Sequence, residues 1–498
     1  MTKPFHKTTI ALALGASLLA GTGVASAQTA KNVIFFLGDG MGPVTVTAAR
    51  IYKGEKEIAA GAKLETSERA ALAMQELGYA GRIKTFSRDG QTTDSAPSMA
   101  AYMTGVKMNN EVISMSAETE AYAPDGSQYI KGEDSTCPEG NGQAAETLLE
   151  LAVSQGRATG VVSTTRLGHA TPATTYSHVC NRNAYNTIAE QAVPGYPEFN
   201  TRLGNGIDVM LGGGWRNYLP KSEYASSRRT DERNLIADMQ KSGYTYVNSG
   251  TALNALDAGN TNKLLGIFSN SELAYELDRV KLNLDQPSLS QMTGKALDVL
   301  SRNDKGFFLM VEGGRIDHAL HGTNAKRALE DTLALDEAVQ TALRVMEQKD
   351  PGLANTLIVV TADHDHAIAF NGYTKIGNPI LGLVHDYSTG EVVKAADGKP
   401  YTTLVFGNGG RAGANDVGED GEAVISPPRS AERQDLTNVD TTADNFLQEV
   451  GIPLGAPGAE THGGGDVMLY AGGAGAQHFR GTYDNTKVFE KVRAASGL

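Results

Sequence analysis

Acidic residues and histidines recur just after apolar stretches of this sequence, in a pattern that could bind metal ions. Together with one threonine, Thr171, the set comprises Asp39, His169, Glu312, Asp317, His321, Asp363, His364, His366 and His462. Carboxylates that converge without compensation repel one another and raise one another's pKa values, and bound cations are the natural compensation. Sets that mix aspartate with histidine suit zinc, whereas all-oxygen sets suit magnesium.

A serine with informative neighbours lies in the stretch TTDSAPSM, residues 92–99. One interpretation is structural, because Asp94 can cap the first turn of a helix and Pro97 is tolerated in that turn. The other is catalytic, because a helix N-terminus favours an attacking oxygen or a bound phosphate at Ser95. The short motif by itself leaves both interpretations open.

The apolar stretches predict the elements that would hold this chemistry. Each is a continuous β-rich run, which is typical of a strand buried on both faces of a parallel sheet. The predicted strands are Val33–Leu37, Gly160–Ser163, Phe307–Val311 and Leu357–Thr361. Helical patterns cover 143–156 and 323–348, and the second suits a crossover between parallel strands. We therefore predict an α/β fold with a doubly wound, mostly parallel central sheet, helices on both faces, and ligands beyond the carboxyl ends of the strands.

From Asn32 to beyond His462, the chain resembles the alkaline phosphatase family. The motifs GDGMG, TDSA, HATPA, VEGGRID followed by His321, TADH and THGGG stand in the order of that family. Each motif is short, but the ordered set is very specific. The resemblance implies hydrolysis of small phosphate monoesters at alkaline pH through a phosphoserine intermediate. It also implies two Zn²⁺ and one Mg²⁺ per subunit as cofactors.

The resemblance assigns roles to individual residues. Ser95 is the nucleophile, Arg182 in CNRN binds the phosphate, and Asp94 helps to orient Arg182; His318 faces the phosphate through water. The implied ligands are Asp317, His321 and His462 for one zinc, Asp39, Asp363 and His364 for the second zinc, and Asp39, Thr171 and Glu312 for magnesium. His366 supports a zinc-binding carboxylate. His169 lies near the third metal, where some members have an aspartate, and this departure weakens the case for magnesium there.

The first residues predict export. Lys3 and Lys7 precede the apolar run IALALGASLLAG, and Ala25-Ser26-Ala27 is an A-x-A cleavage site. We predict a signal peptide over 1–27, a catalytic domain over 28–498, and a periplasmic or secreted location. The chain has two cysteines, Cys137 and Cys180. In an exported protein such a pair suggests a disulfide, and two buried free thiols are the alternative.

The formal net charge of −13 argues against a nucleic-acid backbone or an anionic membrane as a partner. The segment from about 372 to 459 is rich in glycine and loop-like, and the resemblance implies a crown-like insertion there that joins two subunits into a homodimer. Three alternatives to a phosphomonoesterase are a phosphodiesterase or sulfatase of the same superfamily, a phosphate-binding protein without activity, and a structural exported protein. The TDSA serine together with Arg182 favours monoester hydrolysis.

Overall fold

The computed structural model describes residues 29–410, 433–454 and 460–498. The predicted signal peptide lies outside these ranges. Within them, the strands are β1 (Asn32–Gly38), β2 (Tyr79–Lys84), β3 (Ile130–Lys131), β4 (Asp134–Ser135), β5 (Ala158–Arg166), β6 (Val209–Gly213), β7 (Thr245–Val247), β8 (Leu264–Ile267), β9 (Phe307–Gly313), β10 (Thr356–Thr361), β11 (Asp365–His366), β12 (Ile368–Phe370), β13 (Leu404–Gly409), β14 (Val450–Pro453), β15 (His462–Gly463), β16 (Val467–Gly473) and β17 (Gly481–Asp484). The α-helices are α1 (Pro43–Ala59), α2 (Ser95–Thr104), α3 (Leu148–Ser154), α4 (Ala170–Ala173), α5 (Tyr185–Gln191), α6 (Trp215–Tyr218), α7 (Leu235–Lys241), α8 (Gly250–Ala255), α9 (Glu276–Lys281), α10 (Leu289–Leu300), α11 (Arg315–His321), α12 (Ala325–Lys349) and α13 (Thr486–Ser496).

A ten-stranded central sheet organises the described chain, in the order β17-β2-β16-β10-β1-β9-β5-β6-β8-β7. Its neighbouring strands are parallel, except that β16 runs antiparallel to both β10 and β2. The predicted α/β fold with a mostly parallel central sheet is confirmed. The short outer strands and the reversed β16 were not predicted, because none of them is a long, uniformly apolar run.

The four predicted strands are neighbours in the centre of this sheet, in the order β10-β1-β9-β5. Every residue of β5, β9 and β10 is buried, as expected of strands covered on both faces. The register aligns their carboxyl ends, since Leu37 lies opposite both Thr361 and Glu312, and Ser163 lies opposite Glu312. Residues that follow these strands therefore emerge at one edge.

The predicted helices form where their patterns place them. The pattern over 323–348 appears as α12, whose first turn is capped by the Asn324 side chain accepting from the Arg327 N–H. This helix connects β9 to β10 and packs against β1 and β9. The pattern over 143–156 appears as the shorter α3, which begins with a capping box formed by Thr147 and Glu150.

The described parts of the predicted crown segment contain more regular structure than a loop-like composition suggests. β13 and β14 pair with each other and, through β12 just before the segment, form a separate three-stranded sheet, and isolated bridges such as Leu383 with Thr402 extend the pairing. A disulfide joins Cys137 to Cys180, whose Cα atoms are 6.0 Å apart, and this confirms the predicted pair. Among the described helices, none combines the length and apolarity needed to cross a membrane.

Candidate active site

The carboxyl edge of the central strands gathers the predicted metal-binding side chains. Asp39 directly follows β1, Glu312 lies near the end of β9, and Asp363 and His364 follow β10. Asp317 and His321 are one turn apart on α11, and Thr171 lies on α4 after β5. His462 arrives from a distant part of the chain, because β15 pairs with β11 and places it opposite His366.

Gly40 permits the tight turn after Asp39. Its φ is +64°, and a Cβ at this position would lie 2.4 Å from the ring of His366. Its N–H donates to Asp363 Oδ1 over 3.0 Å, which ties the end of β1 to the end of β10. A side chain at this position would therefore be strained and would displace the histidine.

The first group of potential ligands consists of Asp317, His321, His366 and His462. His321 Nδ1 bonds to the backbone carbonyl of Glu460, and His462 Nδ1 to that of Thr93, 2.8 Å away. A carbonyl only accepts, so each Nδ1 carries the proton and each Nε2 presents a lone pair. These two Nε2 atoms are 3.1 Å apart and lie 3.2 and 3.4 Å from Asp317 Oδ1. Such an arrangement of acceptors is typical of a cation site.

His366 differs from the other histidines of this group. Its Nε2 lies 2.8 Å from Asp317 Oδ1, and its Nδ1 lies 2.6 Å from the carboxylate of Glu460. It therefore links a predicted ligand to a second buried acid. These charges raise the pKa of His366 to about 10 against the opposing effect of burial, so the ring donates to both carboxylates. This geometry suits a residue that holds Asp317 in place.

The second group consists of Asp39, Asp363 and His364, and Ser95 lies beside it. Ser95 Oγ is 3.1 Å from His364 Nε2 and 3.3 Å from Asp39 Oδ1. His364 Nε2 is 3.4 Å from Asp363 Oδ2, a buried oxygen without a hydrogen-bond partner. Burial, and then the charge of Asp39, raise the pKa of Asp363 to about 8.

The third group consists of Asp39, His169 and Glu312. Glu312 Oε2 accepts from Ser163 and Thr165, whereas its Oε1 is buried without a partner. Burial and the charge of Asp39 hold the pKa of Glu312 well above its usual range. Thr171 Oγ1 lies 3.3 Å from Asp39 Oδ2, which places the predicted magnesium ligands around one point.

Two carboxylate oxygens at this edge lack a hydrogen-bond partner, as expected if cations bind there. Asp363 Oδ2 and Glu312 Oε1 are both buried and unpartnered, and both belong to groups that share Asp39. Leaving a buried charged oxygen unpaired is costly, so either a proton or a cation must compensate it. The first two groups offer histidine nitrogen and aspartate oxygen, which suit zinc. Asp39, Thr171 and Glu312 offer oxygen only, which suits magnesium.

Arg182 is bound by Asp94, the residue that precedes the candidate nucleophile Ser95. Asp94 Oδ1 accepts from Arg182 Nη1 over 2.8 Å and from the Ala96 N–H over 2.8 Å. The capping interpretation of Asp94 is therefore correct, and the same carboxylate also fixes the arginine. Arg182 Nη2 is 3.3 Å from His169 Nε2, which must accept this bond because a guanidinium has only donors.

His169 also belongs to the third group. Burial, followed by the positive charges of Arg182 and His318, holds its pKa well below the usual range, so the ring is neutral. With Nε2 accepting from Arg182, the proton resides on Nδ1, which is buried without a partner. His169 therefore brings no negative charge to this group. The edge of the His318 ring packs against His169 at 5.5 Å between centroids.

Several residues that complete the site were missed by reasoning from sequence. Glu460 is buried and bonds His366 and the Ala367 N–H, and its position two residues before His462 was the available signal. Glu111 has a φ of +71°, and its backbone N–H donates to Asp94 while its carbonyl accepts from the Arg182 N–H. Arg315, whose Nη1 lies 2.7 Å from His318 Nδ1, stood within a recognised motif but was not singled out.

Comparisons with known proteins agree over nearly the whole chain. The alkaline phosphatase family model matches residues 30–498. Among curated proteins, the tissue-nonspecific alkaline phosphatase of Rattus norvegicus is 36% identical over 490 residues, covering 94% of this chain and 84% of that protein. The alkaline phosphatase of Gadus morhua is 34% identical, covering 92% of this chain and 90% of that protein.

Solved structures show the same fold. The alkaline phosphatase of Thermus thermophilus superposes with a TM-score of 0.65 at 25% identity, covering 97% of this chain and 96% of that chain. The enzyme of the Antarctic bacterium TAB5 superposes with a TM-score of 0.58 at 21% identity, covering 95% and 99%. On the family match and the identity to curated relatives, this chain belongs to the alkaline phosphatase family of enzymes.

Proposed function

We propose that this chain hydrolyses phosphate monoesters, with Ser95 as the nucleophile and Arg182 as the phosphate-binding residue. The observation that carries the proposal is the position of Ser95 between two features. Its Oγ lies 3.1 Å from His364 and 3.3 Å from Asp39, in a group suited to a cation, and its neighbour Asp94 holds Arg182. The Ser95 side chain therefore lies next to both the proposed metal-binding group and the proposed phosphate-binding arginine.

We assign two zinc ions and one magnesium ion to the three groups. The proposed ligands are Asp317, His321 and His462 for one zinc, Asp39, Asp363 and His364 for the other, and Asp39, Thr171 and Glu312 for magnesium. When bound, such ions act as Lewis acids that stabilise negative charge on the attacking and leaving oxygens. His366 keeps Asp317 in position, and His169 adds a neutral ring to the magnesium group.

The protein's own groups would bind and orient the substrate as follows. The N-terminus of the ten-residue helix α2 directs the positive end of its dipole toward a phosphate at Ser95. Arg182 has five N–H donors, of which Asp94 and His169 occupy two, so others remain for phosphate oxygens. Asp94 and the Glu111 carbonyl fix the arginine from both its side chain and its backbone.

The reaction then proceeds in two displacements. Ser95 Oγ forms a bond to phosphorus, the bond from phosphorus to the ester oxygen breaks, and the alcohol leaves with the serine proton. The oxygen of a water molecule next bonds to phosphorus, the bond from Oγ to phosphorus breaks, a proton of that water returns to Oγ, and inorganic phosphate is released. Dividing the reaction in this way replaces one difficult step by two easier ones.

Trapping the covalent intermediate tests this proposal. The protein is mixed with a ³²P-labelled aryl phosphate, quenched in acid and digested, and we expect the label on the peptide that contains Ser95. Ser95→Ala should lose the label and most turnover while keeping its zinc. Ser98→Ala is the matched control, because Ser98 lies on the same helix but bonds the backbone carbonyl of Asp363 instead, and it should keep the label. A label on another residue would contradict the assignment.

Phosphodiester or sulfate ester hydrolysis is the alternative, and substrate comparison separates the three reactions. Arg182 offers several donors to a dianionic phosphate, and a second ester group would remove one of the oxygens that accept them. We expect kcat/KM for p-nitrophenyl phosphate to exceed that for bis-p-nitrophenyl phosphate and for p-nitrophenyl sulfate. The opposite order for either competitor would assign the chain to that activity.

We also propose that the crown segment, residues 372–459, joins two copies of the chain. Tyr373, Ile376 and Tyr387 are 85%, 65% and 68% exposed, and such exposed apolar side chains are typical of an interaction surface. Mass photometry should show twice the mass of one chain for the wild-type protein and a single chain for Tyr373→Asp combined with Tyr387→Asp. Val280→Asp changes an equally exposed side chain on α9 and should leave the dimer intact. A monomeric wild-type protein would contradict the proposal.

Export with cleavage after Ala27 remains part of the proposal, with residues 28–498 as the catalytic domain. The disulfide between Cys137 and Cys180 supports it, since such bonds persist in oxidising compartments. N-terminal sequencing of protein recovered from the periplasm or the medium should begin at Gln28. Full-length protein retained inside the cell would contradict it.

A further inference from the structure

An arginine outside the proposed ligand set contacts His318, whose ring packs against His169 beside Arg182. Arg315 and His318 are three residues apart on α11, so their side chains lie on one face. Arg315 Nη1 is 2.7 Å from His318 Nδ1. Because a guanidinium donates and never accepts, His318 Nδ1 must be the acceptor of this bond.

The surroundings of Arg315 hold its guanidinium in one orientation. Arg315 is only 7% exposed, and its guanidinium carbon lies 3.7 Å from the centroid of the Tyr275 ring. Tyr275 belongs to the segment after β8, in which Glu272 forms an ion pair with Arg166. Stacking on an aromatic ring suits the planar guanidinium and directs its N–H groups along the plane. The bond to His318 is therefore made by a fixed donor.

The bond determines which nitrogen of His318 carries the proton. A neutral imidazole that accepts at Nδ1 is protonated at Nε2, so this nitrogen becomes a donor. The ring lies edge-on to His169, which in turn accepts from Arg182. His318 is partly exposed, whereas Arg315 and His169 are buried. His318 thus lies between a buried arginine and the group that would bind the phosphate.

We propose that Arg315 is a positioning residue that fixes the Nε2–H tautomer of His318, so that His318 donates a hydrogen bond toward the substrate phosphate. The opposite tautomer would present a lone pair to an anion and would weaken its binding. The inference rests on the proposed function, because phosphate binding near His318 is itself part of that proposal. The tautomer can be measured without any substrate, which separates the two.

Nitrogen NMR of the metal-loaded enzyme tests the tautomer. Protein with ¹⁵N-labelled histidine is measured at alkaline pH, where an unperturbed imidazole is neutral. The His318 signals are assigned by their loss in His318→Gln. We expect an unprotonated Nδ1 and a protonated Nε2 in the wild-type protein, and a mixture of tautomers in Arg315→Gln. A protonated Nδ1 in the wild-type protein would overturn the inference.

Kinetics test the consequence for binding. Loss of a hydrogen bond to a charged phosphate should raise KM for an aryl phosphate, and the inhibition constant of inorganic phosphate, by about ten- to a hundredfold in Arg315→Gln. The change in kcat should be smaller than the change in KM. Arg315→Lys keeps a donor but not the planar fork, so it should restore part of the affinity.

Arg327→Lys is the matched control, because Arg327 lies 4.8 Å from the same Tyr275 ring and pairs with Asp278 rather than with His318. It should change KM by less than about twofold, even if the Tm falls. Metal content and Tm are measured for every variant. An unchanged KM in Arg315→Gln, or an equal increase in Arg327→Lys, would overturn the inference. A wild-type protein without monoesterase activity would instead refute the proposed function and leave the tautomer result standing.

Discussion

Removing the metal ions should destabilise this protein more at pH 9 than at pH 6, and should abolish hydrolysis of a simple aryl phosphate at either pH. The reason lies in the buried carboxylates that share one edge of the sheet. Asp39 belongs to two groups, and in each group the ligand atoms lie within 4.8 Å of one another. The second carboxylate is Asp363 in one of these groups and Glu312 in the other. Without cations, the folded protein must either bind protons there or tolerate the repulsion.

Two related figures give the size of the effect, because the charge of Asp39 also contributes to the raised pKa of Asp363. Two unit charges 4.8 Å apart repel by about 3 kcal/mol at an effective dielectric constant of about 20. The pKa of about 8 for Asp363 lies two units above pH 6, and at about 1.4 kcal/mol per unit this also corresponds to about 3 kcal/mol. Dividing a stability loss of about 3 kcal/mol by the entropy of unfolding expected for a chain of this length gives a fall in Tm of about 3 °C.

The sign follows from proton binding. The folded pKa of Asp363 is raised above the unfolded value of 3.8, so the folded state binds the proton more tightly. The metal-free protein therefore has its full stability contribution from this group below pH 4 and loses it as pH rises toward and through 8. Bound cations take the place of the proton, so the loaded protein should not lose this contribution at pH 9.

Thermal melts and activity after chelation provide the assay. Wild-type protein and Asp363→Asn are compared with and without zinc and magnesium at both pH values. Between pH 6 and pH 9, the Tm of metal-free wild-type protein should fall by about 3 °C more than that of Asp363→Asn, because asparagine has no proton to lose. Added zinc and magnesium should restore both the Tm and the hydrolysis of the wild-type protein. Equal falls in the two metal-free proteins, or full activity in a metal-free sample, would refute this reasoning.

Three further predictions concern other parts of the molecule. His169→Asp adds a carboxylate beside the third group, so a magnesium titration of activity at fixed zinc should show tighter apparent binding than in the wild-type protein, and unchanged or weaker binding would show that this residue does not face the metal. Reduction of the bond between Cys137 and Cys180 opens a loop with a sequence separation of 43, which the chain-entropy relation values at about 4 kcal/mol, so Tm should fall after reduction and an unchanged Tm would contradict this. Burial raises the pKa of Asp331 to about 8, so its ionisation destabilises the folded state as pH rises, and Asp331→Asn should gain Tm relative to the wild-type protein at pH 9 but not at pH 5; a constant difference across this range would count against it.

Much of the metal-binding edge could be predicted from sequence because its parts are local. A run such as Val33–Leu37 is uniformly apolar only if both faces of the strand are covered, and this indicates a central parallel strand. The residue that follows such a strand must emerge at the carboxyl edge, whatever the order of the strands. The strand pattern therefore predicts, without any structural distance, that Asp39, Glu312 and Asp363 lie at one edge of the sheet. The disulfide was also predictable, since only two cysteines were available.

Other features depend on residues that lie far apart in the chain. Glu460 bonds His366 across 94 positions. Its place two residues before His462 indicates that it lies near the site, but not that it is buried or which histidine it contacts. The antiparallel β16 alternates between buried and half-buried residues, and its direction is set by pairing with β10 and β2. Local patterns carry no information about such pairings, because they depend on which segments meet once the sheet has formed.

The sequence by itself determined the residue types, the strands that end at the site, and the helix turn that places Ser95 after its cap. The tertiary structure alone decided which nitrogen of these histidines carries the proton. His321 and His462 are turned by backbone carbonyls of distant residues, and His318 is turned by an arginine that Tyr275 holds in place. The physical reason is that a histidine chooses between donor and acceptor at each nitrogen according to its partners, and those partners are brought to it only by folding.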